Sequence, residues 1–273
     1  MTRKMKNRFN PNYTVPPGET LLESIDKLGM SQAQLAQRMG RPLKTINEII
    51  KGKAAITAET ALQLEKVLRI PASFWNNAEH TYRESLARQD EQKDFKSQAA
   101  WLDELPLKSL TQLGWVKAWD EPAKQVEELL HFFGLASPTA WRTVSVEGLT
   151  GRLGVEFRKS PAFKSSRAAL AAWLRKGELE TQELRCADFS TDSFKAALTE
   201  IRKLTVQPPD TLEKSLVRLC ANAGVAVAFV PCLPKTHVSG AIRWLTPTKV
   251  LLQLSLRGKS NDLSAGTENF AIV

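Results

Sequence analysis

At 273 residues the chain is long enough for two domains, each burying its own core. Its 42% apolar and 25% charged residues suit a globular protein in water; the longest apolar stretch, around Ala223 to Pro231, is too short to cross a bilayer, and no apolar run of a secretory signal follows the basic N-terminus. Three cysteines (Cys186, Cys220, Cys232) without a CxxC pair exclude a disulfide framework and a thiolate zinc site, and point to a reducing cytoplasm.

The formal net charge of +9 favours polyanionic partners, and its distribution sharpens that expectation. Between Met1 and Lys53 ten lysines and arginines face only four acids. Residues 1–17 (MTRKMKNRFNPNYTVPP) are basic and proline-containing and read as an extended arm. From Gly18 the pattern turns helical: Leu21, Leu22, Ile25 and Leu28 keep one face, and Gly29 stops the run. In SQAQLAQRMG, Ser31 and Gln34 form a capping box, Leu35, Ala36 and Met39 face inward, and Gly40 breaks the helix. RPLKTINEIIKG follows, with Pro42 in the first turn, Ile46 and Ile49 inward, and Gly52 as the stop. A fourth helix is capped by Thr57 and buries Ala61, Leu64 and Leu68; PASFWNNAEHTYRESLARQ reads as a fifth. The polar QDEQKDFKSQ after it is a linker or a solvated continuation of that helix.

Short helical segments occupy the middle of the chain. DEPAKQVEELLHFFG has Val126, Leu129, Leu130 and Phe133 on one face, with Asp120 as cap and Gly134 as stop. SSRAALAAWLRKG and TDSFKAALTEIRKL are similar, and Trp101, Trp115, Trp119, Trp141 and Trp173 read as core. DTLEKSLVRLCANAG is a further helix, capped by Asp210 and stopped by Gly224. Three β segments follow, Val225–Val230, Ser239–Leu245 and Lys249–Leu256, the last two joined as a hairpin through Thr246-Pro247-Thr248. The expected fold is therefore mainly α: a basic arm (1–17), a five-helix helix-turn-helix domain (18–90), a helical middle region (91–205) and a small α+β C-terminal region with a β-hairpin (206–273).

Two short helices joined by a tight turn match the helix-turn-helix, whose second helix fits the major groove of B-DNA. With Ile46 and Ile49 on the core side, Lys44, Thr45, Asn47, Glu48 and Lys51 lie on or near the outer face. Lysine donates to guanine, asparagine pairs with adenine, threonine offers a methyl to thymine, and glutamate accepts from cytosine. Ser31 and Gln32, at the start of the first motif helix, are placed to hold a phosphate through backbone amides, and Arg41, Lys51 and Lys53 are candidate phosphate contacts.

The stretch from Pro17 to about Asn77 resembles the Cro/C1-type (XRE) helix-turn-helix of HigA-type antitoxins. The resemblance is carried by Pro17-Gly18-Glu19, Gly29-Met30-Ser31-Gln32, Leu35-Ala36, Thr45-Ile46-Asn47-Glu48-Ile49, Gly52-Lys53, Ile56-Thr57, Glu59-Thr60-Ala61 and Phe74-Trp75. It implies a homodimer bound to double-stranded operator DNA as a repressor of its own operon and, as in shorter relatives, a cognate toxin as partner; the residues themselves lead us to expect no cofactor and no membrane.

Residues 206 to about 262 are similar to the start of an ImmA/IrrE-type metallopeptidase domain, through VAVAFVPCLPKTHVSGAIRWL and KVLLQLSLRGKSND. In that family a zinc-binding His-Glu-x-x-His helix comes next. Here the sequence reads LSAGTENFAIV, and His80, His131 and His237 stand in three unrelated segments, so no metal site and no enzyme are expected. A regulator that cleaves a partner repressor is the enzymatic alternative. A toxin-binding or sensing role is the other, because loss of the following helices would leave Lys249–Leu256 as an unprotected strand edge.

Overall fold

The computed structural model describes residues 15–147, 156–159, 166–204, 209–234, 236 and 238–255. The basic arm up to residue 14, His237 and the tail from residue 256 lie outside the described residues. The chain divides into two compact units, one ending at Asp94 and one starting at Phe95. Among the described residues no helix is long and apolar enough to cross a membrane.

The first unit is helical: α1 (Pro17–Lys27), α2 (Gln32–Met39), α3 (Leu43–Ile50), α4 (Ala58–Leu68) and α5, which starts at Ala72 and runs to Ser97. The expected inward residues make its core, with Leu21, Ile25, Leu35, Ile46, Ala61 and Leu64 withdrawn completely from solvent and Trp75 closing it. Each of these leucine and isoleucine side chains contributes roughly 1.5–3 kcal/mol by leaving water. The polar stretch after Arg88 is a continuation of α5, where Lys93 pairs with Asp90 at 2.7 Å, one helical turn apart. Leu28 departs from its expected inward position: α1 ends at Lys27, so Leu28 falls outside the helical period and is 57% exposed, while Met30 is buried instead.

Close approach of α1 to the end of α3 depends on Gly18. A Cβ there would lie 2.2 Å from the carbonyl oxygen of Ile49 and 2.5 Å from the Cα of Ile50. Both neighbours are backbone, so neither can rotate away, and the two helices would have to separate.

The second unit begins with the end of α5. After a 3-10 turn (Ala99–Glu104) come α6 (Leu107–Gln112), α7 (Pro122–Phe133), α8 (Pro138–Glu147), β1 (Glu156–Lys159), α9 (Arg167–Thr181), α10 (Thr191–Leu204), α11 (Pro209–Asn222), β2 (Val225–Val230), β3 (Val238–Thr246) and β4 (Lys249–Ser255). The predicted hairpin is β3–β4, antiparallel across Pro247-Thr248. It belongs to a four-stranded sheet of order β1-β3-β4-β2, in which β2 runs parallel to β4 and β1 antiparallel to β3. The expectation that Lys249–Leu256 forms an unprotected edge is thus corrected: β4 is paired on both sides.

The sheet is covered on both faces, as the two-residue alternation of its strands requires. Ala228, Val230 and Leu251 join the core built around α7 and α9, whereas Val225, Val227, Val250 and Leu254 join the core of α10 and α11. Side-chain bonds staple α9 to the sheet. Trp173 Nε1 donates to the Val230 carbonyl at 3.0 Å, Gln253 Nε2 to the Trp173 carbonyl at 2.6 Å and Arg243 Nη2 to the Leu174 carbonyl at 3.1 Å. Lys249 Nζ closes the C-terminal end of the helix on the carbonyls of Thr181 and Leu184, both at 2.7 Å.

Two predicted caps are displaced by neighbouring prolines. Pro122 takes the first helical position of α7 with Glu121, not Asp120, before it, and Pro209 starts α11, which places Asp210 inside the helix. Proline is favoured there because its fixed φ suits the helix and its missing N–H has no intrahelical partner to lose. Trp101, Trp141 and Trp173 are buried as expected, but Trp119 is exposed, with Lys117 Nζ 3.8 Å above its ring and its Nε1 donating to Glu128 Oε2 at 3.3 Å.

Gly18→Ala is expected to destabilise the first unit by about 1–3 kcal/mol, the usual range for inserting a group into filled space. A lower denaturant midpoint, followed by circular dichroism, checks it. In the second unit, burial chiefly, with Cys186 adding to it, pushes the Cys220 thiol up to about 11. Very little thiolate exists at pH 8, and native protein should leave Cys220 unalkylated there while unfolded protein is modified at all three cysteines. Peptide mass mapping distinguishes the two.

Candidate nucleic-acid interface

The interface is built from α2, a tight turn and α3. Ser31 stands before α2, and its capping box is formed in both directions: the Gln34 N–H donates to Ser31 Oγ at 3.2 Å, and the Ser31 N–H donates to Gln34 Oε1 at 2.8 Å. That closure commits the Ser31 hydroxyl to the Gln34 amide and leaves the amides of Gln32 and Ala33 without a carbonyl partner inside the helix. The C-terminal end of α2 closes through Gly40, at φ 65° and ψ 32° in the left-handed region. The N–H of Arg41 returns to the Ala36 carbonyl at 3.0 Å, the bond that completes this type of helix end.

Pro42 then precedes α3, at φ −59° and ψ 139°, and offers no side-chain acceptor to the helix that follows. Its carbonyl receives the Thr45 N–H at 3.0 Å. Helix α3 has two buried residues, Ile46 and Ile49. Their burial turns the opposite side of the helix outward. Lys44 lies on that side with its side chain 85% exposed, and Lys51, which caps the helix, is exposed as well. Thr45, Asn47 and Glu48 are half-buried. Beyond Lys51, the N–H groups of Lys53 and Ala54 both donate to the Glu48 carbonyl, at 2.8 and 3.1 Å, and Lys53 is exposed.

Of the nine predicted residues, Lys44 and Glu48 are brought together one helical turn apart, with Lys44 Nζ 3.9 Å from Glu48 Oε1. An exposed pair at that distance is worth only a few tenths of a kcal/mol, so either partner can be redirected toward DNA. Arg41 is set differently from the rest. Its Nε donates to Gln63 Oε1 and its Nη2 lies 3.2 Å from Glu59 Oε1, which draws the guanidinium toward α4. The sequence gives no sign of this latch, because its partners stand 18 and 22 residues away. It also gives no sign that Leu43, the first residue of α3, is 45% exposed beside Lys44.

The arrangement presents hydrogen-bonding side chains of both polarities on one helix, flanked by lysines. Such a surface can read base edges and hold phosphates. Among the described residues no three His, Cys, Asp or Glu side chains gather in a way that could hold a metal ion.

Comparison with known proteins places the likeness in this unit. The helix-turn-helix family matches residues 21–75. Over 84 residues the chain is 37% identical to virulence-associated protein I of Dichelobacter nodosus, a match covering 30% of this chain and 78% of that protein. Over 78 residues it is 32% identical to the uncharacterized HTH-type transcriptional regulator YddM of Escherichia coli K12, covering 29% of this chain and 81% of that one. Among solved structures, an addiction module antidote protein of a HigA family from Coxiella burnetii is 33% identical, covering 31% of this chain and 92% of that chain, with a TM-score of 0.29.

Ser31→Ala removes one half of the capping box of α2 and is expected to cost about 1 kcal/mol of stability. Urea unfolding of the purified protein measures it, and an unchanged midpoint would mean that the box contributes nothing in solution.

Proposed function

Since the chain belongs to the helix-turn-helix family through its first unit, we propose that it is a sequence-specific DNA-binding transcriptional regulator of the antitoxin type. On this reading it binds double-stranded operator DNA as a homodimer and represses its own operon. The observation that carries the proposal is the build of α3: an eight-residue helix whose two isoleucines are sunk in the core and whose opposite side carries Lys44, Asn47, Glu48 and Lys51. A helix docked on a solvated bundle needs no such combination of donors and acceptors, whereas a helix that lies in the major groove does.

The roles divide by position. Lys44, Thr45, Asn47 and Glu48 face base edges, where lysine selects guanine, asparagine adenine, threonine the thymine methyl and glutamate the cytosine amino group. Lys51 and Lys53, at the far end of α3, and the amides that follow Ser31 at the start of α2, including that of Gln32, contact phosphates. Arg41 joins the phosphate contacts by exchanging Glu59 for a phosphate oxygen. The antitoxin assignment draws on the residues of the Pro17–Asn77 stretch, and it implies a toxin encoded beside this chain that binds it.

The test is binding to the DNA upstream of the chain's own reading frame, measured by fluorescence anisotropy against random duplexes of equal length. Preference for an inverted repeat in that DNA supports the proposal; equal affinity for both sinks it. Within the preferred site, Lys44→Ala should lose roughly 1–3 kcal/mol of discrimination between sequences. Lys53→Ala should weaken all sequences alike and lower the salt slope by about one. Identical behaviour of the two variants would remove the division of roles.

A further inference from the structure

We propose that Leu43 is a further specificity-determining residue and that it reads the 5-methyl group of a thymine in the major groove. The inference rests on the DNA-binding function proposed above. Leu43 is the first residue of α3 and leaves 45% of its surface in water. A single exposed leucine is ordinary; its position is what counts. The N-terminal residues of the second helix of a helix-turn-helix are the ones that reach base edges. At 3.6 residues per turn, Leu43 and Asn47 are neighbours on one stripe of α3, and that stripe borders the side that carries Lys44 and Lys51. The inward side is taken by Ile46 and Ile49, which are 0% and 2% exposed, so Leu43 is not needed to complete the core.

The chemistry narrows the ligand further. A leucine side chain can neither donate nor accept a hydrogen bond, and of the groups that base pairs present in the major groove the thymine methyl is the apolar one. Pro42 adds pre-organisation. Its ring fixes the backbone immediately before Leu43 at φ −59°, so the first turn of α3 meets DNA with little left to order. Thr45 and Leu43 would then supply two apolar contacts that differ in reach, the first half-buried and the second projecting from the start of the helix.

The full chain is used to select duplexes from a random-sequence pool, and each thymine of the enriched duplex is replaced in turn by deoxyuridine, which removes the methyl alone. Wild type and Leu43→Ala are compared by anisotropy, with circular dichroism to show that the variant is folded. The expected result is one thymine in each half-site whose demethylation weakens wild type about fourfold, the scale of one buried methyl group, and leaves Leu43→Ala unaffected. Leu43→Ala should bind the methylated duplex weaker by a similar factor. The proposal is overturned if demethylation costs both proteins the same at every thymine, or if Leu43→Ala binds the selected duplex like wild type. Enrichment of no sequence at all would bring down the DNA-binding reading and this inference with it; an enriched sequence without methyl dependence overturns the role of Leu43 alone.

Discussion

The position of α3 depends on a contact between backbones. At Gly18 the start of α1 passes so close to the carbonyls of Ile49 and Ile50 that no side chain fits between them. An eight-residue helix is too short to persist alone in water, so its existence and its orientation both come from packing. Ile46 and Ile49 hold one side of it, α1 holds its far end, and Pro42 with Gly40 sets the angle at which it leaves α2. With Ile46 and Ile49 sunk in the core and Ile50 packed against it, the opposite side of α3 is available to a ligand. The price of that arrangement is that a small shift of α1 displaces the whole reading surface.

The cations of the interface are held to different degrees, Arg41 by two partners and Lys44 by one. Lys44 and Glu48 approach to 3.9 Å in the open, and Arg41 reaches Glu59 from a half-buried site. The exposed Lys44–Glu48 pair contributes little to stability and is screened by salt. These contacts nevertheless orient the side chains, so that the cations near α3 start from defined positions and trade one oxygen for another when an anion arrives. Lys51 and Lys53, exposed at the end of α3, add to the positive field there.

The two units were legible in the sequence to different degrees, for a physical reason. In the first unit the features that shape the motif are local: capping box, turn glycine and inward isoleucines lie within twenty residues, and periodicity finds them, whereas the Gly18 contact and the Arg41 latch span more and leave no such mark. The second unit takes its architecture from pairings between distant segments. The hairpin β3–β4 is local and was readable through Pro247-Thr248. The parallel pairing of β2 with β4 joins Val225 to Val250 although β3 lies between them in sequence, and β1 pairs with β3 from 79 to 86 residues upstream. Neither partner leaves a mark in its own neighbourhood. The staples on α9 are equally silent, because Arg243, Lys249 and Gln253 stand among strand residues where a long polar side chain reads as solvent-facing.

Within the helices, the positions that sequence patterns misplaced share one feature: they are at helix ends. Leu28 follows the last turn of α1, outside the span over which a 3.6-residue period determines what is buried, and Leu43, to which that period assigns no place, opens α3. Asp120 and Asp210 lost their capping positions because a neighbouring proline took the first turn. End positions are decided by backbone geometry: where proline fixes φ, where glycine goes left-handed, which amides remain without partners. A helix-turn-helix concentrates its chemistry in the same places, at the start of α2 and the start of α3. The residues hardest to place from periodicity are therefore the ones nearest to DNA in the proposed complex, and Leu43, apolar and exposed at such an end, is where the two considerations meet.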